Sequence, residues 1–305
     1  MNLSSPLPAR LSGSVRLAHL GVIRARGADA TTFLQSQLTN DVAALAPDVV
    51  RLAGFCSAKG RLQASFLVWK DSDDDVFLAC AADLLAPTLK RLSMFVLRAR
   101  CKLTDESAAF PLHGLVGDAA RVAAGTLEAW TRKSHEGASV LRLPDAVGEA
   151  RAIVVGSVPA MTDGPTIDLD TWRWLEVESG VPTIEAATVD RFVPQMVNFE
   201  LLGGVDFRKG CYPGQEVVAR SQYRGTLKRR MARFDAEAAM AAADEAYAVS
   251  DPEQPAGLVV NAAPHPAGGW SALVEVKLAA LDDALHLRSA DGPALAPRAL
   301  PYGWD

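Results

Sequence analysis

Long apolar runs, export signals and metal-ligand motifs are all missing from this sequence. No apolar stretch approaches the roughly 20 residues that a membrane-spanning helix needs, and residues 1–16 lack the apolar core of a secretory signal. The four cysteines, at positions 56, 80, 101 and 211, show no C-x-x-C spacing of the kind that binds zinc. We therefore expect a cytoplasmic protein without membrane contact, with reduced thiols and no metal of its own.

Two more absences exclude common classes of enzyme. The five histidines are scattered and none stands near a candidate nucleophile, so no Ser-His-Asp triad can be assigned. The glycine-rich segments lack the G-x-x-x-x-G-K-S/T order that binds nucleoside triphosphates. The net charge of −5 argues against a general nucleic-acid binder, and direct binding of nucleic acid is left open.

The most informative feature present is the cysteine segment at residues 209–216, Lys-Gly-Cys-Tyr-Pro-Gly-Gln-Glu. Nearby positive charge favours the reactive thiolate of a cysteine, so Lys209 is expected to activate Cys211. Pro213 fits the first position of a short helix, whose positive end would also favour the thiolate. A glycine-rich turn with Cys211 as a small buried hydrophobe explains the same residues. The other three cysteines stand in apolar, strand-like segments and are expected in the core.

A stripe of positive charge adjoins the cysteine segment. Between residues 208 and 233 there are eight basic residues and a single acid, Glu216. The basic residues are Arg208, Lys209, Arg220, Arg224, Lys228, Arg229, Arg230 and Arg233. In an acidic chain this basic stripe predicts either an anion-binding surface or an ordinary solvated face.

The patterns of secondary structure predict an α+β protein of three units. Residues 1–108 are predicted to form an N-terminal α+β unit, in which strands at 51–58 and 62–70 flank a turn. Residues 109–226 are predicted to form a second α+β unit, which contains a helix at 169–178 and ends in the cysteine segment. Residues 227–305 carry five short strands with turn signals, a pattern typical of a small β-barrel.

Several motifs in the chain match one protein family. They are the cysteine segment with the following Val218-Ala219-Arg220, and upstream Leu38-Thr39-Asn40-Asp41-Val42, Ala58-Lys59-Gly60-Arg61, Glu178-Ser179-Gly180-Val181-Pro182 and Asn198. In these motifs the chain resembles the YgfZ-type, folate-binding relatives of the glycine cleavage T-protein. The resemblance implies two α+β units of the aminomethyltransferase folate-binding type and a C-terminal barrel, arranged around a central opening. It also implies binding of tetrahydrofolate or a derivative, and partners among iron–sulfur client enzymes or assembly proteins.

The resemblance further points to ligand-binding residues. A pterin ring offers two adjacent N–H donors to a carboxylate and a flat face to aromatic side chains, and the folate tail is anionic. The resemblance associates Glu178 and Trp172 with the pterin pocket, although six residues separate them on the predicted helix. A surface glutamate and a core tryptophan are the plain alternatives. The other matched residues are Gln37, Thr39, Asn40, Asn198, Tyr212, Gln215 and Arg220. Gln37, Thr39 and Asn40 would form a wall of the folate opening, or are simply a helix end. Asn198, Tyr212 and Gln215 belong to the family motifs, and Arg220 would bind the folate tail or a partner's acidic surface.

One departure from the family bears on catalysis. Active T-proteins carry a catalytic aspartate in the first unit, where this chain has Ala86; the nearest carboxylate, Asp83, fits a helix N-cap. This departure disfavours aminomethyl transfer and leaves enzymatic activity undecided. The favoured function is a tetrahydrofolate-binding protein that supports maturation or repair of iron–sulfur enzymes, and tRNA modification, through Cys211. The alternatives are a folate-dependent aminomethyltransferase and a non-catalytic adaptor for a tRNA-modifying or radical enzyme.

Overall fold

A computed structural model describes residues 11–135, 137–224 and 227–304 of the chain. Its first part contains short helices and antiparallel strands. In chain order these are β1 (Gly13–Arg16), β2 (Leu20–Arg26), α1 (Ala30–Gln35), β3 (Arg51–Cys56), β4 (Leu62–Ser72), β5 (Asp75–Ala81), α2 (Ala82–Ser93), β6 (Lys102–Asp105), β7 (Leu112–Val116), α3 (Asp118–Ala124), β8 (Arg132–His135), β9 (Ala138–Ala146), β10 (Glu149–Val155), α4 (Pro159–Thr162) and α5 (Leu169–Glu178).

The second part contains another helix and the strands of a barrel. These are α6 (Gln215–Tyr223), β11 (Arg229–Ala236), β12 (Glu245–Ala248), β13 (Asp251–Pro264), β14 (Trp270–Lys277), β15 (Leu285–Leu287) and β16 (Ala294–Arg298). Short 3₁₀ turns lie at Ala186–Thr188, Pro194–Val197 and Leu278–Ala280. Among the described residues no helix is long and apolar enough to cross a membrane.

The described strands make two sheets and a closed barrel. The first sheet has the order β3-β4-β5-β2-β6 and the second the order β1-β7-β10-β9-β8. β1 pairs with β7, so the first strand of the chain belongs to the second sheet. The strands β11-β14-β13-β12-β15-β16 close the barrel. The predicted α+β class with a C-terminal barrel is confirmed. The sequence pattern missed β16 because Pro297 stands within it, and proline cannot donate to the hydrogen-bond ladder of a sheet.

Both faces of the first sheet are buried. On β5, Val76, Leu78 and Cys80 pack with the apolar side chains of α1 and α2. The alternating residues Phe77 and Ala79 belong to a second cluster on the opposite face. This period of two follows from the strand geometry, and burial of both faces explains why β5 is an almost unbroken apolar run.

The second sheet repeats this arrangement. On β10, Ala152 and Val154 pack with the alanines of α3, whereas Ile153 and Val155 face the other way. Ile153 and Val155 share one apolar cluster with the inner face of the first sheet, with α5 and with barrel residues such as Leu273. The two sheets and the barrel therefore meet in a common core, and this core positions the cavity described below.

Helix α5 is the element that joins these units. Asp168 caps its N-terminus by accepting the Thr171 backbone N–H at 2.5 Å. Its apolar residues are buried, and it packs on β13 and β14 of the barrel. On its other side, the Trp172 indole lies directly against Gly114 of β7, where a methyl group would sit 2.5 Å from the ring.

We therefore expect Gly114→Ala to destabilise the protein. The added methyl group must displace a fully buried indole, and overpacking of this kind costs about 1–3 kcal/mol. Thermal unfolding followed by circular dichroism should show a Tm lower by several degrees. Gly164→Ala is the matched control, because no atom lies within 4 Å of a methyl group at that position. Equal melting temperatures for the two variants would contradict the proposed role of the contact.

Candidate functional site

A cavity opens between the inner faces of the two sheets, near the C-terminal end of α5. Its volume is about 550 Å³ when the open space at its mouth is included. Residues from both sheets form most of its wall, among them Leu52 of β3 and Ile153 of β10. Trp130 adds an aromatic surface, and Glu176 and Arg151 add the ionisable groups. We call this space the central cavity.

Glu176 presents a carboxylate to the central cavity. The Trp172 indole N–H donates to Glu176 Oε1 at 2.8 Å, and His19 Nε2 lies 3.1 Å from Glu176 Oε2. The Glu176 side chain is 25% exposed. Burial opposes its ionisation, but His19, Arg151 and the indole N–H together hold the pKa of Glu176 below its usual value. At neutral pH the cavity therefore contains a fixed, ionised hydrogen-bond acceptor.

Arg151 brings a positive charge to the same cavity. Its Nε donates to the Pro144 carbonyl oxygen at 3.1 Å, and its guanidinium carbon lies 5.5 Å from the centre of the Trp172 ring. The residue is only 2% exposed, and Nη1 is buried with no hydrogen-bond partner among the described residues. Burial lowers the pKa of Arg151 to about 10, so the group is still charged at neutral pH.

A second cavity adjoins the central one. Its volume is about 910 Å³ with its mouth included, and it shares Glu176 and Val181 with the central cavity. Asp83 lies in its wall. The prediction of Asp83 as a helix N-cap is wrong: Asp83 is the second residue of α2, and its carboxylate accepts the Ala186 backbone N–H at 3.0 Å. Ala86, at the position matched to the T-protein aspartate, is exposed on the same helix.

The geometry separates the two residues that the resemblance associates with a pterin. Glu178 is absent from the walls of both cavities, and its carboxylate forms a largely buried ion pair with Arg233 of β11. Trp172 is fully buried and reaches the central cavity only through its hydrogen bond to Glu176. Helix geometry explains why Glu176 lines the cavity and Glu178 does not, because residues two apart on a helix differ in direction by about 200°. The i,i+4 spacing of Trp172 and Glu176 is the sequence signal that would have identified Glu176.

The cysteine segment forms a separate site at the turn between β3 and β4. A side chain on Gly214 would lie 2.3 Å from the Ser57 carbonyl oxygen, and the φ of +80° at Gly214 also favours glycine. A methyl group on Gly60 of the turn would lie 2.8 Å from Val217 of α6. These two glycines let the cysteine segment and the turn approach each other closely. The sequence motifs that contain Gly60 and Gly214 therefore meet in one contact of the fold.

Cys211 is exposed beside this contact, so it is not the small buried hydrophobe of the alternative interpretation. Helix α6 begins at Gln215, so Pro213 precedes the helix and does not open it as predicted. Cys56 and Cys80 are buried as expected, whereas Cys101 is only half-buried. Within the described ranges, no three His, Cys, Asp or Glu side chains are grouped as metal ligands would be.

Lys209 fastens the cysteine segment to the first unit. Its ammonium group donates to the carbonyl oxygens of Gln35 and Leu38, at 2.5 and 2.6 Å, and lies 5.2 Å from the centre of the Tyr212 ring. Burial lowers the pKa of Lys209 to about 8. Tyr212 is itself buried. Both residues hold the loop in place, and activation of Cys211 by Lys209 stays a prediction.

The polar residues after α1 make a second attachment. Thr39 Oγ1 donates to the Gly204 carbonyl oxygen and Asn40 Nδ2 to the Gly203 carbonyl oxygen, both at 2.6 Å. Gln37 is buried next to them. None of these three side chains is in the wall of the central cavity or of the adjoining cavity. Thr39 and Asn40 hold the segment that precedes the cysteine loop against the first sheet.

The other predicted ligand residues also lie away from the central cavity. Asn198 has a left-handed φ of 57°, and its side chain donates to the Met231 carbonyl oxygen at 2.8 Å and accepts the Met231 N–H at 3.3 Å. It therefore joins the 3₁₀ turn before it to the barrel. Gln215 is the half-buried first residue of α6, and Arg220 is exposed and paired with Glu216 on the same helix.

The basic stripe divides into buried and exposed halves. The residues that pair inside the protein are Lys209 with backbone carbonyls, Arg229 with Glu275, Arg230 with Glu200 and Arg233 with Glu178. The exposed residues are Arg208, Arg220, Arg224 and Lys228. The surface around α6 and Cys211 therefore carries about half of the positive charge that the sequence suggested.

The central cavity and Cys211 are well separated. Leu52, in the cavity wall, lies five residues before Ser57 along an extended strand, and Ser57 contacts the cysteine loop. At about 3.3 Å per residue this spacing puts Leu52 and Ser57 on the order of 15 Å apart. Glu176 and Arg151 line the central cavity, whereas Cys211 is exposed and absent from its wall.

Known proteins resemble this chain in sequence and in fold, although no protein-family model matches it. The tRNA-modifying protein YgfZ of Sodalis glossinidius is 30% identical over 320 aligned positions, which cover 98% of this chain and 94% of that protein. The tRNA-modifying protein YgfZ of Escherichia coli O127:H6 is 32% identical over 217 positions, covering 67% of this chain and 66% of that protein. The crystal structure of the glycine cleavage system aminomethyltransferase T from Bartonella henselae superposes with a TM-score of 0.73 at 16% identity, covering 95% of this chain and 86% of that one.

Alkylation of the native protein should modify Cys211 first. Burial raises the pKa of Cys56 and of Cys80 to about 12, so only about one in ten thousand of either would be a thiolate at pH 8. Burial also raises the pKa of the half-buried Cys101, to about 11. Iodoacetamide labelling followed by peptide mass spectrometry measures the order, with Cys211→Ser as the control. Faster labelling of Cys56 or Cys101 than of Cys211 would contradict the description of the loop.

Proposed function

The chain belongs to the YgfZ family, and on this basis we propose that it binds a reduced folate in the central cavity and uses Cys211 to support iron–sulfur enzymes. The observation that carries the first part is the carboxylate of Glu176 in an otherwise largely apolar cavity. A pterin needs apolar walls for its rings and a carboxylate for its adjacent amino and ring N–H donors. In this proposal Glu176 has the pterin-binding role that the resemblance associates with Glu178.

The residues of the central cavity fit a folate headgroup in three respects. Trp130 and the leucines of both sheets offer apolar surface to a flat ring. Trp172 and His19 hold the Glu176 carboxylate in place, so little side-chain freedom is lost when a ligand binds. Arg151 adds a positive charge to the cavity wall, and its Nη1 has no hydrogen-bond partner among the described residues. When bound, a reduced folate supplies the nitrogen atoms that carry one-carbon units.

Cys211 lies outside this cavity, and we assign it to a partner. It is exposed on a loop whose neighbours, Lys209 and Tyr212, are buried and hold it from beneath. A single cysteine cannot hold a cluster that takes four thiolates. Its chemistry is therefore transient ligation, a cluster shared between two chains, or thiol exchange with a client. Because the YgfZ relatives are named tRNA-modifying proteins, we expect clients among enzymes of tRNA modification.

The exposed half of the basic stripe fits this assignment. Arg208 directly precedes the cysteine segment, Arg220 and Arg224 lie on α6 and at its end, and Lys228 follows them in the chain; all four are exposed. Because Arg220 is outside the central cavity, we assign it to the acidic surface of a partner and not to the folate tail. Such contacts are screened over about 8 Å at physiological salt, so partner binding should weaken as salt is added.

The folate site is tested by comparing two glutamates of α5. Glu176→Gln should weaken tetrahydrofolate binding by about 1.5–3 kcal/mol, because a charge-assisted acceptor becomes a neutral amide. Glu178→Gln should leave the affinity within about twofold and lower the Tm, since Arg233 loses its buried partner. Titration calorimetry measures the affinities. The reverse outcome, with binding lost only in Glu178→Gln, would restore the role that the resemblance gave to Glu178.

The role of Cys211 is tested separately in cells. Cys211→Ser should fold and bind tetrahydrofolate normally, because the substitution is nearly isosteric and remote from the central cavity. It should fail to restore the activity of iron–sulfur enzymes in cells that lack the protein, because a serine hydroxyl neither exchanges thiols nor ligates soft iron readily. Cys101→Ser at equal protein levels is the matched control and should restore activity. Full restoration by Cys211→Ser would make the cysteine a packing residue.

A further inference from the structure

Exposed apolar side chains gather at the C-terminal end of α2. Met94 is 67% exposed, Phe95 43% and Leu97 88%. They are three of the eight large apolar residues that the described part of the chain exposes, and they lie within four consecutive positions. None of them lines the central cavity or the adjoining cavity. Single exposed apolar residues are ordinary, but a contiguous group of them marks a contact surface.

The backbone holds Leu97 in solvent. Val96 and Ala99 pack inward on the apolar core beneath α2, and the Ala99 N–H donates to the Val96 carbonyl oxygen at 2.7 Å. This turn leaves Leu97 with a φ of 41°, in the left-handed region that favours glycine or asparagine. A large apolar side chain therefore stands where the backbone favours a smaller residue and where the fold makes little use of it.

Positive charge surrounds these three apolar residues. Between residues 90 and 102 there are five basic residues and no acidic one, in a chain whose net charge is −5. The five are Lys90, Arg91, Arg98, Arg100 and Lys102, and all are exposed. Among the described residues only Arg100 has an ion-pair partner, Asp29. We call the five basic and three apolar residues the α2 patch.

We propose that the α2 patch binds the surface of a membrane that contains anionic lipid. In such a contact the apolar side chains enter the boundary between headgroups and acyl chains, and the basic side chains lie among the anionic headgroups. Nucleic acid would match the charge of the patch but not its three apolar side chains. A protein partner would need an apolar pocket with acidic groups on both sides, whereas an anionic bilayer offers both features over its whole surface.

This contact needs no membrane-spanning segment. The described residues contain no helix that could span a membrane, and the expectation of no membrane contact rested on the lack of such a segment. A peripheral contact requires only a few side chains at the bilayer surface. Met94 follows Asp83 of the adjoining cavity by eleven positions, or about 16 Å along a helix axis. The α2 patch is therefore separate from the cavities and adds to the proposed function.

The test measures co-flotation of the full chain with vesicles. One kind contains phosphatidylcholine alone, and the other contains phosphatidylglycerol in equal amount. The overall negative charge of the chain repels it from the anionic vesicles, so a preference for them requires a local positive surface. The wild-type chain should bind the anionic vesicles at least about tenfold more strongly, and added salt should weaken that binding.

Two sets of variants separate the apolar contribution from the charged one. Leu97→Gly combined with Met94→Ser should lower binding to the anionic vesicles by about tenfold or more, because two apolar side chains are no longer inserted. Leu97→Gly alone should keep or raise the Tm, because glycine suits the left-handed φ, and so a loss of binding is not a loss of folding. Arg91→Gln with Arg98→Gln should lower binding to the anionic vesicles by about fivefold for each charge removed.

Val122→Ser is the matched control. Val122 is 84% exposed on α3, and its neighbour Arg121 is already paired with Glu149. This variant should bind both kinds of vesicle as the wild type does. Failure of the wild type to bind the anionic vesicles, equal binding to both kinds, or equal effects of Val122→Ser and of the Leu97 and Met94 substitutions would overturn the inference. If the wild type binds no vesicles and the Leu97 and Met94 variant fails to restore iron–sulfur enzymes in cells, the patch serves an acidic protein partner and the membrane inference is wrong.

Discussion

The packing of the Trp172 indole against Gly114 is the contact on which the rest of this structure depends. The indole occupies the space that a side chain at Gly114 would take, and so brings α5 against the second sheet. The opposite side of α5 packs on the barrel. Because the inner faces of both sheets bury apolar residues in one core, the position of α5 sets the distance between them. The central cavity is the space that this arrangement leaves unfilled.

The same indole links the fold to the chemistry of the central cavity. A buried carboxylate is costly unless other groups compensate for its desolvation. Here His19, Arg151 and the Trp172 N–H do so, and the pKa of Glu176 is lowered despite its burial. Arg151 comes from β10 and His19 from the segment between β1 and β2, so the cavity forms only when both sheets are in place. A ligand in the central cavity would stabilise the junction of the units as well as bind to it.

The cysteine loop is held in place by a different set of contacts. Lys209, Thr39 and Asn40 donate to backbone carbonyl oxygens, and their bonds clamp the loop and the segment before it to the first sheet. Gly60 and Gly214 allow the closest part of this contact. The result is an exposed thiol on a rigid support, remote from the central cavity. In the proposed function, binding of the folate and reaction of the thiol belong to two sites, which share the first sheet as their common framework.

The sequence predicted local structure and exposure better than it predicted pairing. The bounds of α5 and the exposure of Cys211 follow from short-range patterns, and both agree with the structure. The choice between Glu176 and Glu178 depends on Arg233, which lies 55 residues from Glu178 and pairs with it through the barrel. In the same way, half of the residues of the basic stripe pair with groups inside the protein, so they do not add to its exposed charge. Thr39 and Asn40 match the family motif, but only the fold shows that their bonds serve the cysteine loop.

The most direct test of two separate sites is a crystal structure of the chain with 5-formyltetrahydrofolate, a stable reduced folate. This account predicts the pteridine ring between the two sheets, with its amino edge on Glu176 and without any contact to Cys211. A pteridine ring in contact with Cys211, or seated on Glu178 at the barrel, would contradict it.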